Sequence, residues 1–245
     1  MTFFGAASTP TDGASATNTA DPTAVTPPGS MTSGDLVFFF GLKRNATGTI
    51  AISNAGGQTW NTAFTHVSST AVLTVGAFYC IFNGTWAANP SLSFSATTNN
   101  TAVMVVFRPS VRCGFVGLDS GARNDIISSA APSAGTLTVV SWTPAYDSNV
   151  SVVVLASDDD NTWTISGSGW TQSGLSAQYR NTSGSDTSCV FAYQIQSIAA
   201  ATGQIALTQA TNANDPAEIR RFTFDEGPIF RQLLISQSVK RAGYY

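Results

Sequence analysis

Apolar residues in this chain gather in short runs of two kinds. In the first kind nearly every position is apolar: residues 36–42, 102–107 and 150–156. In the second kind apolar and polar positions alternate. Ile50 and Ile52 mark one such run, Leu92 and Phe94 a second, Leu137 and Val139 a third, and residues 204–208 a fourth. Further strand-length segments rich in aromatic and β-branched residues fall at 60–67, 72–82, 163–165, 177–180, 188–195 and 219–224. Turn signals separate them: Gly56-Gly57, Asn83-Gly84, Asn99-Asn100, Pro109 and Gly203. Short runs punctuated in this way read as strands and hairpins. No segment carries an apolar i, i+3, i+4, i+7 stripe over three turns. The best helix candidate is 230–239, with Leu233 and Leu234. The pattern predicts an all-β protein.

The second half of the chain replays the first. Leu36 aligns with Val150, Trp60 with Trp170, Phe94 with Leu207 and Phe107 with Phe224. The offsets agree to within loop-length variation, so each half is one unit of four or five strands. A single unit leaves an apolar sheet face uncovered. The two units therefore pack as two sheets, a jelly-roll-like antiparallel β-sandwich, with two tandem small sandwiches as the alternative. The expected organisation is an N-terminal arm over 1–33, partly extended and with a strand near its start. A sandwich over 34–225 follows, with half-units at about 34–109 and 135–225. A C-terminal tail covers 226–245.

Composition narrows the function. Only 10% of residues are charged, against about a quarter in an ordinary soluble domain. Ser, Thr, Asn and Gly take their place, which suits turns and strand faces. The net charge is −3 and no basic run interleaves with aromatics, so a nucleic-acid partner is not indicated. The longest apolar runs are far short of the roughly 20 residues that cross a bilayer as a helix, and no membrane partner is expected. Three cysteines, Cys80, Cys113 and Cys189, read as free and mostly buried thiols.

Candidate chemistry is sparse. His66 is the single histidine and sits in a strand pattern. There is no Gly-x-Ser-x-Gly elbow, and one His with three scattered Cys matches no zinc spacing. Asp158-Asp159-Asp160 with Asn161 could offer oxygen ligands to calcium, but without the alternating spacing of a calcium loop. The two glutamates, Glu218 and Glu226, fall near the end of the chain, outside a central cleft where paired carboxylates would act. No catalytic residue, cofactor site or metal site is assigned, and an enzyme is not expected. Trp60 and Trp170 align in the repeat and read as core plugs. Trp86 and Trp163 lie beside turns and are candidate glycan contacts. Basic residues concentrate at the end: Arg220, Arg221, Arg231, Lys240 and Arg241, followed by Tyr244 and Tyr245. Arg and Tyr are enriched in interface hot spots, so these seven are candidate interface residues.

The cadence of the chain resembles a diffuse family of jelly-roll proteins of tailed phages. The features that carry the resemblance are Ser33-Gly34-Asp35-Leu36 opening an apolar strand, Gly57-Gln58-Thr59-Trp60, Phe78-Tyr79 before a turn, and Leu92-Ser93-Phe94-Ser95. The strand at 103–107 followed by Arg108, and the Ser-Ala-Pro-rich stretch before Gly135-Thr136-Leu137, complete it. Pro109 departs from the Gly that more often follows the Arg. The resemblance implies a virion accessory protein: capsid decoration or cement, a head or tail fibre, or a minor tail protein. Its partners would be other virion proteins and copies of itself, and its place the virion after synthesis in the host cytoplasm. A glycan-binding adhesin module of a fibre or tail is the alternative. The strand pattern itself is checked by far-UV circular dichroism, where the expected spectrum is β-rich; helix above about a quarter of residues, near the average for soluble proteins, contradicts it.

Overall fold

The computed structural model describes residues 1–9, 19–45, 47–68, 72–95, 99–109, 117–118, 127–129, 135–159, 162–172, 179–181, 187–209 and 217–226. All regular elements among them are strands. The first unit contains β1 (Thr2–Thr9), β2 (Thr23–Ala24), β3 (Leu36–Arg44), β4 (Ala51–Asn54), β5 (Asn61–Ser68), β6 (Leu73–Ile81), β7 (Ser91–Ser93) and β8 (Asn100–Arg108). The second contains β9 (Gly117–Leu118), β10 (Ile127–Ser129), β11 (Thr136–Val139), β12 (Asn149–Ser157), β13 (Trp163–Ser166), β14 (Thr171–Gln172), β15 (Tyr179–Asn181), β16 (Thr187–Gln196), β17 (Ile205–Gln209) and β18 (Ala217–Asp225).

Each unit is wired the same way. The first has a large sheet in the order β1-β8-β3-β6-β5 and a small one in the order β2-β7-β4. The second has β10-β18-β12-β16-β14, with β15 also on β16 and β9 on β18, and a small sheet β11-β17-β13. All pairings are antiparallel. Along each unit the chain passes back and forth between its two sheets.

The apolar runs explain the layering. In β3 the side chains of Leu36, Phe38, Phe40 and Leu42 point one way, and those of Val37 and Phe39 the other. The first set enters a central core with Val103, Val105 and Phe107 of β8 and with Val150, Val152 and Val154 of β12. The second set enters an outer core with Leu92 of the small sheet and Phe94 just beyond its strand. In the second unit Val153, Leu155 and Ile219 face Leu137, Ile205 and Leu207 in a matching outer core. Strands buried on both faces read as continuous apolar runs. Strands of the small sheets have one solvated face, as in β11 and β17, and alternate. The structure thus has four layers where the sequence led us to expect two, because a solidly apolar sheet needs cover on both faces. The all-β sandwich architecture is as expected; each unit is a two-sheet sandwich of its own.

Register makes the repeat concrete. Leu36 stands opposite Phe107 and Ile81, and Val150 stands opposite Phe224 and Ile195. Asn61 faces Tyr79 and Thr171 faces Tyr193, so Trp60 and Trp170, one residue earlier, are equivalent. On the small sheets Leu92 pairs with Ile52 and Leu207 with Ile165. Leu92, rather than Phe94, is therefore the counterpart of Leu207, a shift of one pleat from the sequence alignment. The units also pack on each other reciprocally. Tyr79 meets Phe224 edge-on at 5.3 Å, and Tyr193 meets Phe107 edge-on at 5.4 Å. Contacts of β3 with β16 and of β6 with β12 repeat the exchange. This is the geometry of an isologous two-fold interface, here within one chain.

The equivalent positions are filled differently. Gly41 and Gly76 face each other across β3 and β6, where the second unit has Leu155 opposite Val190. A Cβ on Gly41 would stand 2.6 Å from a Leu92 methyl carbon, and one on Gly76 3.0 Å from Ile50. In the first unit the bulk comes from the small sheet; in the second it comes from the large one. Residues expected to form an arm are partly built in: β1 lies along β8, β2 lies along β7, and Val25 is buried. The helix candidate at 230–239 lies outside the described residues.

Phe38 is at the centre of the junction, within 5.4–5.8 Å of the rings of Phe191, Phe222 and Phe224. Phe38→Ala is expected to cost about 3–5 kcal/mol by leaving a cavity between the large sheets. Denaturant unfolding monitored by fluorescence checks this; a midpoint equal to wild type contradicts the shared core.

Candidate functional site

The charged residues of β18 divide by strand parity. Glu218, Arg220, Phe222 and Phe224 share one face, and Ala217, Ile219 and Arg221 share the other. Phe222 and Phe224 belong to the central core, so Glu218 and Arg220 also point at the first unit. There Glu218 is fully buried and accepts from Arg220 Nε at 2.6 Å. Its second oxygen lies 2.8 Å from Nδ1 of His66 on β5. The Arg220 guanidinium stacks 4.6 Å from the centre of the Phe64 ring. Phe64 in turn stacks on Phe222 at 5.4 Å. A carboxylate of one unit is thereby held by its own arginine and by the histidine of the other unit. Arg220, expected at an exposed interface, is instead buried in the chain's own junction, because its neighbours on that face are core phenylalanines. Glu218, expected outside any central position, lies between the units for the same reason.

Arg221 faces the other way. Its guanidinium sits 4.9 Å from the Trp142 ring centre, and Nη1 donates to the Val140 carbonyl at 3.4 Å. Arg231, Lys240, Arg241, Tyr244 and Tyr245 lie outside the described residues.

A second ion pair joins two residues singled out in the sequence but not as partners. Asp35, buried at the start of β3, accepts from Arg108 Nε at 3.0 Å and Nη2 at 2.9 Å. The Thr32 N–H donates to the same carboxylate at 2.8 Å. Arg108 also donates to the Ser30 carbonyl at 3.0 Å and lies 3.9 Å from the Phe4 ring centre. Gly34, with φ +97, lets the chain turn into β3 while its N–H donates to Phe82. The clamp ties the 30–35 loop, β1, β3 and β8 at one pole. Bidentate pairing of this kind fixes geometry as well as charge.

No family model matches the chain, and no match to a curated protein or to a solved structure reaches significance. The site readings therefore rest on geometry.

The aromatic candidates are accounted for by packing. Trp86 is half-buried and stacks on Phe82, at 5.0 Å and 26°, and on Trp60, at 6.4 Å and 29°. Trp163, the other candidate glycan contact, is 1% exposed in the outer core of the second unit. Its place beside a turn is misleading, since it opens a strand whose first side chain points inward. Trp170 is buried as expected and packs on Trp142 at 5.5 Å. Trp60 is only half-buried, against Phe39 and Trp86, with its Nε1 donating to the Ala55 carbonyl at 2.9 Å.

Asp158 is buried and Asp159 half-buried, while Asp160 and Asn161 lie outside the described residues. Among the described residues no group of three or more His, Cys, Asp and Glu side chains could hold a metal ion. Cys80 and Cys189 are free and buried. Burial pushes the Cys80 thiol up to about 12 and raises that of Cys189 as well, which makes both poor nucleophiles. Cys113 lies outside the described residues.

The junction triad is unequal in its energetics. Glu218→Ala leaves the Arg220 charge buried and is expected to cost about 3–5 kcal/mol. His66, a third exposed at its side chain, is expected to cost about 1 kcal/mol or less when changed to Ala, because solvent screens its pair. Chemical unfolding of both variants checks the order; equal costs contradict it.

Proposed function

We propose that the chain is a non-enzymatic structural component of a phage particle, a capsid decoration or cement protein or a head or tail accessory protein. On this reading each unit is a jelly roll. Its strands run in the order 1-8-3-6 on one sheet and 2-7-4 on the other, as two interleaved Greek keys would place them, while the fifth strand departs from that pattern and lies on the larger sheet. The observation that carries the reading is the fused, reciprocal packing of the two units. It makes one body with an apolar central core and few charged residues. Such a surface satisfies hydrogen bonds against a partner without stripping ions of water, which costs more.

The ends favour docking at one pole. The start of β1 and the end of β18 lie side by side, with the Met1 nitrogen 3.0 Å from a Glu226 carboxylate oxygen. Glu226, the last described residue, therefore lies at the same pole as the Asp35–Arg108 clamp, since Thr2 pairs with Arg108. Three of the expected contacts have structural work inside the body: Arg220 in the junction, Arg221 over the Trp142 ring, and the first residues of the arm in the sheet. The docking role then falls on Arg231, Lys240, Arg241, Tyr244 and Tyr245, with attraction to an acidic surface from the basic residues and anchoring from the tyrosines.

Deleting residues 230–245 is the test. The expected result is loss of incorporation into particles, with an unchanged melting temperature of the isolated protein. Normal incorporation with unchanged solution mass removes the tail from the mechanism.

A further inference from the structure

Lys43 is an unusual residue in this fold. It is the last inward-facing position of β3 on the side of the outer core, and its side chain is wholly buried. Lysine is almost never fully buried unless paired. Directly opposite it on β8 is Asn100, also wholly buried. Opposite residues of an antiparallel ladder project to the same face, with Cβ atoms about 4.5–5.5 Å apart. The Lys43 Nζ donates to the Phe94 carbonyl. The N–H of the same Phe94 donates to Asp21 Oδ1 at 2.9 Å. Asn100 Nδ2 donates to the carbonyl of Ala20, the residue before Asp21, at 3.0 Å. Thr23 Oγ1 lies 2.8 Å from Asn100 Oδ1. An amine, a carboxamide and a carboxylate are thus gathered between the two sheets of the first unit. Gly48 closes over them; a Cβ there would stand 3.2 Å from Nζ.

Burial lowers the pKa of Lys43, with the charge of Asp21 acting against that. A larger fraction of the amine is then neutral and nucleophilic. The fold itself does not require the group. In the second unit the same ladder position pairs Ser157 with Ala217, and the sheet forms in the same register.

We propose that Lys43 and Asn100 become joined by an intramolecular isopeptide bond, with Asp21 carrying the proton. Neutral Nζ attacks Cγ of Asn100 and forms the new C–N bond. The Asp21 carboxylate takes a proton from Nζ and passes it to Nδ2. The Cγ–Nδ2 bond breaks and ammonia leaves, so atoms and charge balance with no oxidant or co-reactant. Thr23 Oγ1 is placed to donate to Oδ1 as negative charge develops there. The product ties β3 to β8 covalently across the end of the sandwich.

The test is mass spectrometry of the full-length, denatured protein. The expected mass is about 17 Da below that of the sequence, the loss of one ammonia. Trypsin, which does not cut the Arg108-Pro109 bond, should then leave residues 1–44 joined to residues 45–112, with no cut after Lys43. Lys43→Arg and Asn100→Ala should each restore the full mass and separate the peptides, and Asp21→Asn should leave the chain folded but mostly unjoined. A wild-type protein of full mass, cut after Lys43, overturns the proposal. So does the same mass loss without joined peptides, as a succinimide at Asn83-Gly84 would give. Should the variants fail to fold, the wild-type digest alone decides.

Discussion

Two large sheets that are apolar on both faces set the terms for the whole molecule. A strand such as β3, with Phe38 and Phe40 on one side and Val37 and Phe39 on the other, is stable in water only when both sides are covered. The small sheets supply one cover and the other unit supplies the second. Among the described residues the inner face of each large sheet packs on that of the other unit. The junction is therefore continuous with the interior, and the two units fold as one body.

The reciprocal contacts of Tyr79 and Tyr193 show how that junction is organised. A two-fold arrangement places each patch against its own counterpart, so one apolar surface repeated twice in a chain is enough to build it. The repeat is then free to diverge wherever contacts are not shared. It has done so at Gly41 and Gly76, where bulk has moved from one sheet to the other, and at Lys43 and Asn100, whose counterparts are Ser157 and Ala217.

Charge is scarce, and the described ion pairs are concentrated at joints. Glu218 with Arg220 and His66 crosses between units, and Asp35 with Arg108 closes the pole where β3 begins and β8 ends. Buried pairs of this kind are weak evidence for added stability, since desolvation offsets much of the attraction. Their geometric demand is strong. A register slip of one residue would turn Glu218 away from His66 and put its charge in the outer core.

The sequence by itself determined the longer strands, their boundaries to within a few residues, the repeat and the equivalence of Trp60 with Trp170; the short strands β2, β9, β10 and β14 carried no signal in it. Those features depend on spacing along the chain, where the period of two and the turn residues act locally. Only the tertiary structure decided the number of layers, because whether an apolar run has one covered face or two depends on what packs against it. It also decided the roles of the polar residues. His66 and Glu218 are 152 positions apart, and nothing local marks them as partners. Arg220 in a basic stretch and Trp163 beside a turn carry the signs of exposed residues. Both are buried, because the parity of their strands, fixed by pairing with distant segments, points them inward.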